Sequence, residues 1–223
     1  MTRALLLVGS PRGRRSSSTS VGSYLLDLVQ ERGLETEALW LREQLTNDEM
    51  TSQMLDAIKG ADIVILTAPL YDDCQPYLVT RTMELIADQE EMAGKRFIPI
   101  LNSGFPETEQ ITAVAIPIYR KFASMVGFEW VGSLAIGGGE MIQGAQGKQL
   151  DEIGSVANGL KKALGEIAEA LVSGTAYSDE SMVAFPRFFL NPIVGKIMVW
   201  INNRGWRSQA EKNGGVVDAK PYV

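Results

Sequence analysis

Residues able to do chemistry are concentrated in three short stretches, each at the end of an apolar run. The first, Gly9-Ser10-Pro11-Arg12, follows Ala4 to Val8 and leads past Arg14 and Arg15 to Ser16, Ser17, Ser18, Thr19 and Ser20. A helix-like stretch from Val21 to Glu31 comes next. The first turn of a helix leaves its amides unpaired and its dipole favours negative charge, so hydroxyls and free N–H groups there make an anion site. A phosphate is the natural occupant, and strand, loop and helix together read as the binding end for a nucleotide or a flavin. Neither Gly-x-x-x-x-Gly-Lys-Ser/Thr nor Gly-x-Gly-x-x-Gly is present. The alternative for the serine run is an N-cap without a ligand, since Ser and Thr are ordinary caps.

The second and third stretches are Pro69-Leu70-Tyr71-Asp72 and Asn102-Ser103-Gly104-Phe105-Pro106-Glu107. What the chain lacks is as informative. It has no histidine, which excludes a Ser-His-Asp triad, a Cys-His pair and the usual zinc sites. Its single cysteine, Cys74, allows no internal disulfide and no cysteine-held cluster. A net charge of −6 argues against general nucleic-acid binding, which needs a basic face. Chemistry must come from a cofactor or from carboxylates, and no metal site is expected. Residues 4–8 are too short for the apolar core of a secretory leader, so the cytoplasm is the default compartment.

The elements that must position these stretches alternate along the chain. Buried strands are predicted at Ala4 to Val8 and Asp62 to Ala68, and further strands at Glu35 to Leu41, Arg96 to Asn102 and Phe128 to Ile136. Helices are predicted at Val21 to Glu31, Asp48 to Gly60, Pro76 to Met92, Gln110 to Val126 and Leu150 to Leu171. Strands alternating with helices give a parallel sheet with helices on both faces, an α/β three-layer sandwich. Ligands of such sheets sit beyond the carboxyl ends of the strands, where the three chemical stretches lie. In a five-stranded sheet of order 2-1-3-4-5 these loops meet at one edge.

Together the loops resemble those of the flavodoxin-like NAD(P)H-dependent FMN oxidoreductases, the group of FMN reductases and WrbA-like proteins. The resemblance rests on Gly9-Ser10-Pro11-Arg12 with its hydroxyl run, on Pro69-Leu70-Tyr71 followed by Pro76, on Asn102-Ser103-Gly104-Phe105-Pro106-Glu107, and on Gly137-Gly138-Gly139. It covers residues 1–173 as an FMN-binding domain and leaves 174–223 as a C-terminal helical extension. The iron–sulfur branch of the group is excluded by the single cysteine, and Thr80-Arg81-Thr82 stands where many members have a lysine.

The resemblance implies roles for particular residues. Ser10, Arg12, Ser16, Ser17 and Ser18 would hold the FMN phosphate. Pro69, Leu70 and Tyr71 would lie along one side of the isoalloxazine, Tyr71 either stacked on it or at the rim. Asn102, Ser103, Gly104 and Phe105 would approach the ring edge. Gly104 would allow a close backbone approach or a positive φ, or else mark an ordinary turn. Glu107 reads as a helix first-turn carboxylate and Cys74 as a loop thiol without a redox role. No catalytic side chain is assigned, because hydride chemistry belongs to the flavin.

The activity so implied is hydride transfer from NAD(P)H to FMN and on to a small acceptor such as a quinone or a flavin. The alternatives are a flavodoxin-like one-electron carrier and a binding protein that kept the fold without the cofactor. In the extension, Phe185 to Trp206 is apolar and aromatic but interrupted by Pro192 and Gly195, too short for a membrane span. It is expected to pack on the body or across a homodimer, with a lid over the site as the alternative.

Overall fold

In a computed structural model, residues 1–72, 74–104, 108–109, 111–142, 144, 147–177, 181–184 and 192–217 are described. Two compact units divide the chain, Met1–Pro186 and Arg187–Val223. The first holds β1 (Arg3–Val8), α1 (Ser17–Glu31), β2 (Glu35–Trp40), α2 (Leu41–Gln44), α3 (Asp48–Lys59), β3 (Ile63–Pro69), α4 (Tyr77–Ala87), β4 (Arg96–Asn102), α5 (Ile116–Val126), β5 (Glu129–Trp130), β6 (Leu134–Gly137), α6 (Asn158–Ser173) and β7 (Ser181–Ala184). In the second unit α7 spans Pro192–Lys212.

All strand pairings are parallel, in the order β2-β1-β3-β4-β6-β7, with β5 also on β4. The central strands β1, β3 and β4 are continuous apolar runs because both their faces are covered. Leu6, Ile65, Ile100 and Ile136 pack under α1 and α6, while Leu5, Leu7, Leu66 and Leu101 face the side of α3, α4 and α5. Local signals set the helix ends. Asn47 caps α3 by accepting from Met50 N–H at 2.9 Å, and α5 stops at Gly127 in the left-handed conformation, φ 74°. The flavodoxin-like sheet order expected from the sequence is present.

Several details differ from the sequence reading. The fifth strand is split: β4 advances three residues from Phe97 to Ile100 while its partner advances four, from Trp130 to Leu134. The extra residue makes a bulge, with Gly132 at φ 147°. The helix expected from Leu150 begins as a 3-10 segment over Leu150–Ala157, turned at Gly154, and becomes regular at Asn158. The helix expected from Gln110 opens in a π turn, Ile111–Ala115. The sequence also did not announce β7, which adds a strand beyond β6 from within the segment assigned to the extension.

Candidate functional site

The loops leaving β1, β3, β4 and β6 converge on a cavity of about 340 Å³ above the carboxyl ends of the strands. Its wall brings together Ser10, Arg12, Ser16, Ser17 and Ser18 from the first loop and Pro69, Leu70 and Tyr71 from the second. Asn102, Ser103 and Gly104 come from the third. Phe105, Pro106 and Glu107 lie outside the described residues. Asp72, part of the second stretch but given no role there, also lines the wall, and one wall residue escaped the sequence reading, Glu140.

The serine loop is built to leave amides free. Ser16, buried, is the N-cap of α1: its Oγ accepts from Thr19 N–H at 3.1 Å and donates to the Gly13 carbonyl at 2.9 Å. Ser17 Oγ donates to the Gly139 carbonyl and Ser18 Oγ to Asn102 Oδ1, both at 2.8 Å. These hydroxyls fasten the loop to its neighbours. The Ser17 and Ser18 N–H groups, first in the helix, have no carbonyl one turn back to bond, and they carry the positive end of the dipole.

The arginines of the loop divide. Arg12 lines the cavity, its Nη1 3.2 Å from Glu140 Oε1. Arg14 turns away, doubly bonded to Glu43 at 2.8 Å and 3.8 Å above the Trp40 ring. Trp40 in turn donates from Nε1 to Thr19 Oγ1 at 3.2 Å, so the end of β2 braces the loop from outside.

A further segment closes the loop from above. A Cβ on Gly144 would stand 2.4 Å from the carbonyl carbon of Ser16 and from the amide nitrogen of Ser17. Only glycine lets the chain rest on that peptide. Nothing in the local sequence separates this glycine from its neighbours Gly137, Gly138, Gly139 and Gly147; the contact that requires it spans well over a hundred residues.

At the other end of the cavity the loops are knitted by backbone bonds. Leu70 N–H donates to the Asn102 carbonyl at 2.8 Å, Ser103 N–H to Ile136 at 2.9 Å and Gly139 N–H to Ser103 at 2.7 Å. Tyr71 and Cys74 exchange both of their backbone bonds, at 3.0 and 3.2 Å, around a turn in which Asp72 adopts φ 51°. That turn holds Tyr71, 49% exposed, at the rim. Gly104 departs from one expectation: its φ is not positive, and a Cβ there would meet Glu140 Cγ at an ordinary 3.6 Å. No backbone strain demands glycine at this position.

The donor set suits an amphiphilic phosphate ester. One end offers helix amides and the Arg12 guanidinium, and the other offers Pro69, Leu70 and Tyr71 opposite the Asn102–Gly104 backbone. Such a division suits a ligand with a phosphate at one end and a flat ring at the other.

The model of the NADPH-dependent FMN reductase family matches residues 2–129, a span from β1 through α5 that includes all three loops. The chain belongs to that family. It is thus an FMN-dependent oxidoreductase. No curated protein sequence matches the chain. Among solved structures, an NADH:FMN oxidoreductase in its apo form is similar with a TM-score of 0.59 and 18% identity, over 86% of this chain and 100% of that one. An FMN-dependent NADH-azoreductase from Bacillus anthracis str. Ames Ancestor is similar with a TM-score of 0.55 and 14% identity, over 77% and 100%. A flavodoxin from Streptococcus pneumonia TIGR4 gives 0.54 and 16%, over 78% and 100%. At these identities the likeness is one of fold, shared by reductases and electron carriers alike.

Proposed function

We propose that this FMN reductase family member takes a hydride from NAD(P)H onto bound FMN and delivers the electrons to a small acceptor, a quinone or a free flavin, in the cytoplasm. The observation that carries the reading is the juxtaposition across one cavity of the α1 amides and Arg12 with the Pro69–Tyr71 and Asn102–Gly104 walls. Ser17 and Ser18 N–H groups, with Arg12, would take the phosphate, while the Ser16 hydroxyl shapes the loop as its cap. Pro69, Leu70 and Tyr71 would flank the ring and exclude water from one of its sides. Amides near Ser103 and Gly104 would orient the ring edge and favour the negative charge of a reduced cofactor. Bound FMN would supply the hydride chemistry, so no side-chain acid or base is needed and a chain without histidine suffices.

An electron-carrier role would call for a strongly acidic rim. Here Arg12 stands beside Glu140, and the described rim carries both signs. The test is anaerobic mixing of FMN-loaded protein with NADPH and with NADH. Loss of the visible flavin absorption with either donor, restored by adding a quinone, is the expected result. If neither donor bleaches the flavin, the carrier reading replaces this one; a protein that takes up no FMN would leave only a binding role.

A further inference from the structure

The helix of the second unit has a composition unlike the rest of the chain. The whole chain carries −6, yet residues 192–212 hold Lys196, Arg204, Arg207 and Lys212 against Glu211 as the one acid. Charge is also sorted along the helix. From Ile193 to Ile201 Lys196 is the one charged residue, and the remaining cations follow from Arg204 onward. Ile197, Val199, Trp200, Ile201 and Trp206 each keep at least 50% of their surface exposed. Val199, Trp200 and Ile201 are consecutive, so they point in three directions about 100° apart. A groove on a protein covers one side of a helix. A lipid headgroup and acyl boundary can receive apolar side chains from several sides at once.

Tryptophan adds a second sign. Trp200 stands near the border between the apolar and the cationic half and Trp206 within the cationic half, and an indole with an apolar body and a polar N–H favours the membrane–water interface. Long cationic side chains nearby can lay their stems on apolar surface and keep their charge in water. The Arg204 guanidinium already lies 5.7 Å from the Trp200 ring centre. Among the described residues no helix is long and apolar enough to cross a membrane, so the arrangement suits lying in the surface.

We propose that α7 is a docking element for an anionic lipid surface, with Trp200, Trp206 and their apolar neighbours in the headgroup boundary and Lys196, Arg204 and Lys212 against lipid phosphates. The charge of the element is opposite to that of the surface and to that of the chain as a whole. The proposal does not depend on the flavin reading. Where both hold, docking brings the reductase to a phase in which apolar quinones dissolve.

Flotation of the full chain with vesicles tests this directly. Phosphatidylcholine vesicles are compared with vesicles of phosphatidylcholine mixed with phosphatidylglycerol, at low and high salt, and the emission of the tryptophans is followed alongside. Expected are capture by the anionic vesicles only, a blue shift on capture, and release by salt. Each cation removed in the series Lys196→Gln, Arg204→Gln, Lys212→Gln should weaken partitioning about fivefold, as for a basic residue near an anionic leaflet. Thermal unfolding of the variants should match the parent, because these side chains lie outside the sheet unit. Equal capture by both vesicle types, or capture by neither, overturns the proposal. So does a dimer in light scattering that Trp200→Ser with Trp206→Ser converts to monomer while vesicles capture nothing, since a second copy of the chain is then the occupant.

Discussion

Ser18 Oγ donates to Asn102 Oδ1 at 2.8 Å, and both residues are buried. The bond joins the first turn of α1 to the end of β4, so the serine-loop end of the cavity and the end formed by the third loop share one strut. Ser18→Ala leaves the Asn102 oxygen without this donor and should cost about 1–3 kcal/mol of stability, the penalty for an unsatisfied buried acceptor. FMN affinity should fall with it. Urea unfolding and FMN titration of the apoprotein check both effects. A double-mutant cycle with Asn102→Ala should show coupling of about 1 kcal/mol, and additive effects would mean that the strut carries nothing.

Gly144→Ala should both weaken FMN and destabilise the protein. The new methyl would press on the Ser16–Ser17 peptide from 2.4 Å, and backbone atoms cannot yield as a side-chain end could, so the first amides of α1, proposed to take the phosphate, must move. A tenfold or greater loss of affinity is expected, about 1.4 kcal/mol, with a lowered melting temperature from the overpacking. Quenching of FMN fluorescence on binding measures it. Gly104→Ala is the control: ordinary contact with Glu140 predicts a normal fold, with any effect confined to flavin affinity or turnover.

In the proposed site Glu140 would compete with the FMN phosphate for Arg12. The pair is half exposed and worth only about 0.2–1 kcal/mol to folding. Glu140→Gln should therefore leave stability unchanged and tighten FMN a few-fold, by releasing the guanidinium and removing a negative charge from the wall. Arg12→Ala should weaken FMN and flatten the dependence of binding on salt. Tighter binding in the arginine variant would show that the phosphate lies elsewhere.

Asp27, on the outer face of α1, has its pKa raised by partial burial, then by Glu31 and Asp151. Its folded pKa lies above the unfolded value, so the charged form is disfavoured in the native state and stability falls as pH rises through that window. Asp27→Asn should thus stabilise the protein near neutral pH, by about 0.2–0.5 kcal/mol as for like charges one helical turn apart. The gain should vanish below the ordinary carboxylate range, where both proteins carry a neutral group. Melting curves at pH 7 and pH 3 decide the sign.

Much of this was legible because it is written in local runs. The central strands announce themselves as unbroken apolar stretches, and the loops that follow Val8, Ala68 and Asn102 supply the cavity wall where a parallel sheet must place it. The bulge at Val131–Ser133 was not legible, because an offset of one residue exists only relative to β4. Glu140 and Gly144 were missed for a related reason. Their places follow from the Ser17–Gly139 bond and the contact with the Ser16–Ser17 peptide, which no local pattern encodes. Of the alternatives the sequence offered for Gly104, a positive φ is absent, because the type of a lone glycine after a strand does not fix its backbone angles. The Phe185, Phe188 and Phe189 of the extension lie outside the described residues.

The added strand β7 bears on aggregation. Leu134, Ala135 and Ile136 of β6 are fully buried and pair on one side with β4 and on the other with β7. A chain ended at Ser173 would turn this short, wholly apolar strand into an open rim, with backbone donors and acceptors free to recruit another molecule. The opposite rim of the sheet, β2, is guarded by Glu35 and Glu37, charges that discourage such pairing. Shortening the protein from its C-terminus should therefore be harmless to solubility down to Pro186 and should produce insoluble material once residues 181–184 are lost.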